Sequence, residues 1–294
     1  MAQKRILGVI GGSGLYALDA LDDPQTVDQD TPWGRPSAPV VRGRLGDLEL
    51  LFLSRHGAGH ATPPDAINYR ANIDALKRLG ATDLLSVSAC GSLREDRPPG
   101  SFVIVDQYID RTHGRPSSFF GPGFVAHVSM ARPVCPVLAQ AAHEACAAVG
   151  VSVAMGGTYL CMNGPQFSSY AESMLYRQWG ADVIGMTNMP EAKLAREAEL
   201  PYASVAMVTD YDCWHEDEAD VDVASLLETM RANTGAARKM LVALAGVLGP
   251  TRVGCPSGIE TCLDSAVITA PDARDAALLA KLDAVAGRFL ATGR

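Results

Sequence analysis

Two carboxylates, Asp210 and Asp212, stand two residues apart in the segment MVTDYDCW, which directly follows the apolar run PYASVA. Residues at this spacing in an extended chain point to the same side. A buried carboxylate is costly unless hydrogen bonds, a positive charge or a ligand offset the loss of water. The pair therefore indicates a polar site at the end of a strand, although by itself it is equally compatible with a solvated turn.

Four further polar clusters end segments that read as strands, and their residue types suit an oxyanion. GGSG at 11–14 lets backbone amides approach an anion closely, and RHG at 55–57 adds a forked cation and an imidazole. SACGS at 88–92 and GMTN at 185–188 add hydroxyl groups. Each cluster alone is also typical of a turn or a surface ion pair. The candidate oxyanion ligands are Ser13, Arg55, His56, Ser88, Ala89 and Thr187.

Alternating strands and helices must position these clusters. Apolar runs predict strands at 5–11, 49–54, 83–92, 101–110, 151–164, 181–186 and 201–208. Helical periodicity predicts helices at 65–80, 136–150, 168–180, 190–200 and 223–249, the third opened by a capping box of Ser169 and Glu172. This order predicts one α/β domain over residues 1–294, with a largely buried sheet flanked by helices. The packing of a C-terminal segment, about 250–294, is left undefined.

Composition limits the classes of function. The 294 residues are 48% hydrophobic, which is enough for a large core, and a net charge of −8 disfavours nucleic-acid binding. The N-terminal segment lacks signal-peptide features and no apolar run could span a bilayer, so we expect a cytoplasmic protein without a membrane partner. Neither a carboxylate cluster nor a CxxC pair is visible, so no metal is predicted. A disulfide between Cys255 and Cys262 stays open.

The convergence of an oxyanion site and an acid pair indicates a ligand with both anionic and N–H character. In such sheets, ligands gather beyond the carboxyl ends of the strands, where all five clusters lie. Phosphate with a purine fits, because a protonated carboxyl can donate to purine N7 and a second carboxylate can accept from an exocyclic amine. Burial would raise the pKa of the first acid, Asp210, and keep its proton available.

Several long motifs resemble those of the methylthioadenosine phosphorylases, trimeric members of the purine nucleoside phosphorylase family. They include IGGSGLY, TPWGRPSAPV, NGPQFSSYAES, NYRANIDALKRLGATDLLSVSACGSLRED and WGADVIGMTNMPEAKLAREAELPYASVAMVTDYDCW. The resemblance spans roughly residues 5–240 and thins past residue 245. It implies a nucleoside phosphorylase-like domain with a central mixed, twisted β-sheet flanked by helices.

The resemblance implies a reaction and partners. The family cleaves 5′-methylthioadenosine with inorganic phosphate to adenine and 5-methylthioribose 1-phosphate, in purine and methionine salvage. Phosphate is then a co-substrate, no cofactor is needed, and the chain forms a homotrimer or a dimer of trimers. Ser13 and Ser88 stand where many relatives have threonine, and the hydroxyl group is kept.

The resemblance also implies roles for side chains around the nucleoside. Asp210 faces N7 as the catalytic acid, and Asp212 faces the 6-amino group. The other implied nucleoside-binding residues are Met186 under the ribose, Phe167 and Ser168 at the base, His60 and His127 near the 5′ substituent, with His127 reaching in from a neighbouring subunit, and Val223 and Leu227 around the methylthio group.

Alternative functions differ in base or in nucleophile. A phosphorylase acting on 6-oxopurine nucleosides or methylthioinosine would carry an amide in place of one acid, and this chain has two acids. A hydrolase that uses water needs no anion site such as the one around Arg55. A catalytically silent nucleoside-binding protein is disfavoured because no residue of the implied site is missing.

Overall fold

The computed structural model describes residues 3–12, 14–15, 20–215 and 223–293, and for residues 223–226 it describes the backbone alone. Within these ranges, eleven strands form one mixed sheet and two more pair with each other. The strands are β1 (Gln3–Lys4), β2 (Ile6–Gly11), β3 (Asp22–Val27), β4 (Val40–Leu45), β5 (Leu48–Ser54), β6 (Asp83–Ser92), β7 (Phe102–Val105), β8 (Gln107–Asp110), β9 (Val153–Met155), β10 (Thr158–Cys161), β11 (Val183–Gly185), β12 (Tyr202–Asp210) and β13 (Thr251–Arg252).

Helices connect and cover these strands. The α-helices are α1 (Tyr69–Arg78), α2 (Pro136–Ala148), α3 (Tyr170–Gln178), α4 (Asn188–Glu197), α5 (Val223–Leu248), α6 (Ala276–Lys281) and α7 (Gly287–Leu290). Short 3-10 turns span Ala58–His60, Pro64–Ala66, Asp212–Trp214, Ile259–Ser265 and Pro271–Ala273. The predicted α/β class with a central mixed sheet and flanking helices is thereby confirmed.

Four parallel strands bring their carboxyl ends to one edge of the sheet. β2 pairs in parallel with β5 and β6, and β6 pairs in parallel with β12. The register sets Gly11 opposite Ser54 and Met207 opposite Ala89. β11 pairs antiparallel with β6, with Ile184 opposite Gly91, so its end approaches the same region from the other direction. The polar clusters predicted at these strand ends are therefore neighbours.

Side chains alternate between two apolar cores on the faces of the sheet, as the two-residue period of a strand requires. On β5, Leu51 and Leu53 pack into the core that includes residues of α1 and α4. Leu50 and Phe52 pack into the opposite core, with residues of α2 and α5. The sheet is thus buried on both faces, which explains its near-continuous apolar strands.

The C-terminal segment covers the α1 and α4 side of the molecule. Leu282, Val285 and Phe289 are almost fully buried in the same core as α4. Arg288 donates to Glu199 at 2.7 Å and anchors the segment to the loop after α4. The structure therefore supplies the packing that the sequence left undefined.

Some element boundaries differ from the predicted ones. The predicted strand at 101–110 is broken at Asp106 into β7 and β8, and β3 and β4 were not predicted. β3 has the polar sequence DDPQTV and is mostly exposed, so it carries no apolar signal. All seven cysteines are free thiols, including Cys255 and Cys262. Among the described helices, none has the length and apolar composition needed to cross a bilayer.

The capping box of α3 makes a testable contribution to stability. The Ser169 hydroxyl accepts from the Glu172 amide, and the Glu172 carboxylate accepts from the Ser169 amide at 2.8 Å. We expect Ser169→Ala to lower the free energy of unfolding in urea by about 1 kcal/mol, because the Glu172 amide at the start of the helix loses its side-chain acceptor. Ser169→Thr keeps the hydroxyl and should stay close to wild type; equal losses in both variants would contradict this role.

Candidate active site

A cavity of about 270 Å³ lies where the strand ends meet, a volume at the scale of small-ligand sites. Its lining includes ten of the residues singled out in the sequence: Arg55, His56, His60, Ser88, Ala89, Phe167, Met186, Thr187, Asp210 and Asp212. Further lining residues, without an assigned role in the sequence, are Gly12, Leu15, Pro64, Val87, Cys90, Gly91, Met162, Ile184, Gly185, Met207, Thr209, Met230 and Thr234. One cavity therefore contains both the predicted oxyanion ligands and the acid pair.

Arg55 is buried at the oxyanion end and held in a fixed orientation. Its Nε donates to Oε2 of Glu191 at 2.8 Å, and its Nη2 donates to Ser86 Oγ at 2.7 Å and Ile10 O at 3.1 Å. Burial alone would lower the pKa of Arg55, but the Glu191 carboxylate outweighs it and the pKa is raised. Among the residues that the structure describes, Nη1 donates a single hydrogen bond, to Val87 O at 3.3 Å. Because Nη1 carries two hydrogens, it retains one for a ligand.

His56 is a neutral imidazole with a defined tautomer. Burial lowers its pKa to about 4, against the effect of the hydrogen bond to Thr62, and repulsion from Arg55 and His60 acts in the same direction as burial. Its Nδ1 lies 2.9 Å from the carbonyl of Thr62, which can only accept, so Nδ1 carries the proton. Nε2 is then an acceptor. His60 stacks on the ring of His56 with centroids 4.0 Å apart, and burial lowers its pKa as well.

The hydroxyl groups of the oxyanion end come from β6 and the start of α4. Ser88 donates to Asn188 Oδ1 at 3.2 Å, and Asn188 Nδ2 donates to Ser204. The Thr187 hydroxyl is buried and has no hydrogen-bond partner within the described part of the chain. Ser13 lies outside the described residues, although Gly12 beside it lines the cavity. A buried hydroxyl without a partner is unusual and suits a ligand that completes it.

The acid pair occupies the other end, at the end of β12. A register shift between Val208 and Asp210 marks a bulge, which re-aims the following side chains. Oδ2 of Asp210 accepts from Thr209 Oγ1 at 2.6 Å, and its Oδ1 accepts from the Asp212 amide at 2.8 Å. Asp212 adopts a left-handed backbone with φ of 55°. Both acids face one cavity, so the structure disfavours the solvated turn.

Burial distinguishes the two acids. Asp212 is 8% exposed, and burial raises its pKa, opposed by the neighbouring hydroxyl of Ser173. Asp210 is only half-buried. Burial thus raises the pKa of Asp212, and the raised pKa that the sequence predicted for Asp210 stays a prediction.

The apolar wall differs from the one that the resemblance implies. Leu227 is 45% exposed and does not line the cavity, and the side chain of Val223 lies outside the described residues. Met230 and Thr234 of α5 line it instead. They follow Leu227 by three and seven residues, which places them on one helix face. The predicted helix thus contributes Met230 and Thr234 to the cavity lining, and the predicted role of Val223 stays a prediction.

Three predicted residues at the cavity mouth have different placements. Phe167 lines the cavity with 53% of its surface exposed. Ser168 does not line it; its carbonyl accepts from the thiol of Cys213 at 3.3 Å. His127 is exposed and lies outside the cavity within this chain, and its amide donates to Ala266 O at 2.9 Å.

Several site residues carried no clear signal in the sequence. Glu191 lies in a helix and resembles a surface acid, and only the fold brings it to Arg55. Thr209 could have been found, because it directly precedes Asp210 at the strand end. Within the described residues, no group of three histidine, cysteine or acidic side chains could hold a metal ion.

The buried neutral His56 predicts a pH dependence of stability. Its pKa is about 4 in the folded chain against 6.5 for an ordinary histidine, so the unfolded chain binds more protons between these values. The free energy of unfolding should therefore fall as the pH is lowered from 6.5 toward 4. In phosphate-free urea titrations, we expect the free energy of unfolding of His56→Gln to fall less steeply with decreasing pH than that of wild type. A variant of an exposed histidine, His113→Gln, should follow wild type. Parallel curves for wild type and His56→Gln would contradict the prediction.

Gly91 leaves room for the acid pair. A Cβ at this position would lie 2.9 Å from Asp210 Oδ1 and 3.2 Å from Ile184 Cγ2. Gly91→Ala should displace Asp210 and lower kcat/KM for methylthioadenosine, the substrate implied by the resemblance, by about tenfold or more. Gly246→Ala is the matched control, because nothing lies within 4 Å of its added Cβ. Activity of Gly91→Ala equal to that control would show that Asp210 tolerates displacement.

Comparisons with known proteins agree with this geometry. A protein-family profile described as the phosphorylase superfamily matches residues 6–245. An S-methyl-5′-thioadenosine phosphorylase of Cereibacter sphaeroides is 58% identical over 98% of this chain and 99% of its own. One of Geobacter sulfurreducens is 46% identical over 98% of this chain and all of its own.

Solved structures give the same result. A methylthioadenosine phosphorylase sourced from an antarctic soil metagenomic library superposes with a TM-score of 0.91 at 43% identity, over 96% of this chain and 99% of the other. The Schistosoma mansoni methylthioadenosine phosphorylase in complex with adenine gives a TM-score of 0.83 at 36% identity, over 90% and 99% of the two chains. The chain therefore belongs to the phosphorylase superfamily and, within it, to the S-methyl-5′-thioadenosine phosphorylases.

Proposed function

We propose that the chain is a pentosyltransferase that cleaves 5′-methylthioadenosine with inorganic phosphate into adenine and 5-methylthioribose 1-phosphate. The observation that carries the proposal is a single cavity with Arg55, Ser88 and Thr187 at one end and the acid pair at the other. Relatives support the substrate, because a Schistosoma mansoni phosphorylase variant has been crystallised with methylthioadenosine.

The oxyanion end would hold phosphate against the ribose. Arg55 offers its remaining Nη1 hydrogen in a fixed direction, and the Thr187 hydroxyl is available. Cleavage of the glycosidic bond gives the ribose carbon C1′ oxocarbenium character, which an adjacent phosphate stabilises before it attacks that carbon. Neutral His56 offers an acceptor at Nε2, so it would accept a hydrogen bond from the P–OH group of hydrogen phosphate.

The acid pair would serve the leaving base. Adenine leaves poorly as an anion, and a proton or short hydrogen bond from Asp210 to N7 lets it leave neutral. Such general acid assistance typically contributes about 10²–10⁴-fold. The Thr209 hydroxyl, 2.6 Å from Asp210 Oδ2, fixes the orientation of this acid. Asp212 would accept from the 6-amino group, which disfavours the alternative of a 6-oxopurine or methylthioinosine substrate.

The remaining assignments extend the same proposal. We infer a cytoplasmic homotrimer, or a dimer of trimers, that needs no cofactor beyond its co-substrate phosphate. His127 is exposed and lies outside the cavity of its own chain. This placement supports its predicted role at the 5′ end of the cavity in a neighbouring subunit. The apolar side chain of Met230 supports a pocket for the methylthio group.

Phosphate dependence is the first test of this function. The chain should release adenine from methylthioadenosine only when phosphate is present, as followed by chromatography with adenosine and inosine in parallel. Arg55→Ala should raise KM for phosphate strongly, because a charge-assisted hydrogen bond is lost. Full activity in phosphate-free buffer would identify a hydrolase instead.

The two acids should have separable roles. Asp210→Asn cannot protonate N7, so kcat on methylthioadenosine should fall by about 100-fold or more. Asp212→Asn gains a donor and should lose preference for the 6-amino base while gaining activity on methylthioinosine. Both variants are measured on both nucleosides. Wild-type discrimination in Asp212→Asn together with wild-type turnover in Asp210→Asn would mean that neither acid reads the base.

A further inference from the structure

The arginine that lines the oxyanion end has its charge already neutralised. Arg55 and Glu191 form a two-point ion pair, Nε to Oε2 at 2.8 Å and Nη2 to Oε1 at 3.2 Å, and each side chain is 1% exposed. His56 is neutral near pH 7, and the acids at the other end of the cavity are negative or neutral. The lining side chains therefore provide no net positive charge for a phosphate dianion.

A second guanidinium, Arg115, lies directly behind this end of the cavity. It is 8% exposed, and Nη1 donates to the carbonyls of Met186 and Met189, each at 2.7 Å. Nη1 also donates to Tyr69 Oη at 3.0 Å, and Nη2 donates to Asn163 O at 2.6 Å. All four acceptors are neutral, and within the described residues no carboxylate lies at ion-pair distance of Arg115. As far as the described residues show, its positive charge is thus buried without a counter-ion, which is costly unless another group compensates it.

The position of Arg115 indicates which group could compensate that charge. The two carbonyls that it binds flank Thr187 and Asn188, where α4 begins. Thr187 lines the cavity, and its buried hydroxyl has no hydrogen bond within the described part of the chain. An anion beside Thr187 would both accept from this hydroxyl and compensate the buried cation.

We propose that Arg115 provides the net positive charge of the oxyanion end, while Arg55, neutralised by Glu191, provides directional hydrogen bonds. Arg115 is then a positioning residue for phosphate, because it acts through the Met186–Met189 segment. The inference rests on the proposed use of phosphate. It also makes an unexpected prediction. Removing the negative charge of Glu191 should strengthen phosphate binding, even though Glu191 holds Arg55, a residue that contacts phosphate, in its orientation.

Four variants test this division of roles. Arg115→Met removes the charge, Arg115→Lys keeps the charge without the planar fork, and Glu191→Gln frees the charge of Arg55. Arg196→Met is the matched control, because Arg196 is 5% exposed, has no carboxylate at ion-pair distance among the described residues, and lies at the far end of α4. Each variant is measured for KM of phosphate, KM of methylthioadenosine, and the increase in Tm on adding inorganic phosphate.

We expect Arg115→Met to raise KM for phosphate by roughly tenfold or more and to reduce the phosphate-induced increase in Tm. Its KM for methylthioadenosine should stay within about threefold of wild type, Arg115→Lys should recover most of the phosphate affinity, and Arg196→Met should match wild type in both constants. Glu191→Gln should lower KM for phosphate and enlarge the increase in Tm. The proposal is overturned if Glu191→Gln weakens phosphate binding, or if Arg115→Met and Arg115→Lys change both KM values equally, as a purely structural clamp would.

The increase in Tm separates this inference from the proposed function. If wild type binds phosphate but does not cleave methylthioadenosine, the function fails while the charge assignment is still tested by the Tm values. If wild type turns over with phosphate and Arg115→Met retains its phosphate affinity, the function stands and the charge assignment is wrong.

Discussion

The parallel pairing of β6 with β2 on one side and with β12 on the other is the constraint on which the site depends. It sets Ser88 opposite Ala206 and Gly91 opposite Asp210, so β6 carries Ser88 to the oxyanion end of the cavity and lies beside the acid at the other end. A slip of one residue in this register would turn these side chains to the opposite face. The buried apolar side chains on both faces prevent such a slip, and so the packing of the core fixes the geometry of the polar site.

Two polar environments of different character result from this arrangement. The oxyanion end is built of donors held by buried partners, since Arg55 is fixed by Glu191 and by the Ile10 and Val87 carbonyls. The base end is built of acceptors, and burial raises the pKa of Asp212. Their positions are preset by the fold, so a ligand with an anion at one end and N–H groups at the other meets prearranged partners, which is how positioning lowers a reaction barrier.

The sequence predicted those parts of the site that lie at strand ends. Arg55, Ser88, Thr187 and Asp210 each follow an apolar run, and parallel strands bring such ends together. Residues that act across the sheet carried no local signal: Glu191 reads as an exposed helical acid in PEAKLAREAEL until tertiary packing buries it.

The fold was predicted to a similar extent. Strands with continuous apolar runs were identified, whereas exposed β3 was not, because strand periodicity is visible only when one face is buried. The C-terminal segment was also beyond prediction, since its short helices are defined by their contacts with α4 more than by their own sequence. Helix α5 was found in the sequence, but the sequence could not show which of its side chains reach the cavity: Met230 and Thr234 line it and Leu227 does not.

The amino-terminal end of the described chain is joined to the segment that follows α5. β1 pairs with β13, with Gln3 opposite Arg252, and the amide of Arg5 donates to Pro250 O at 2.8 Å. Contacts of such long sequence separation close a large loop and slow folding. During synthesis, β2 can pair with β5 early, but β1 has no partner until the ribosome has translated residues some 250 positions later. Pairing of β1 is thus a late step in folding, because it must wait for the residues that follow α5.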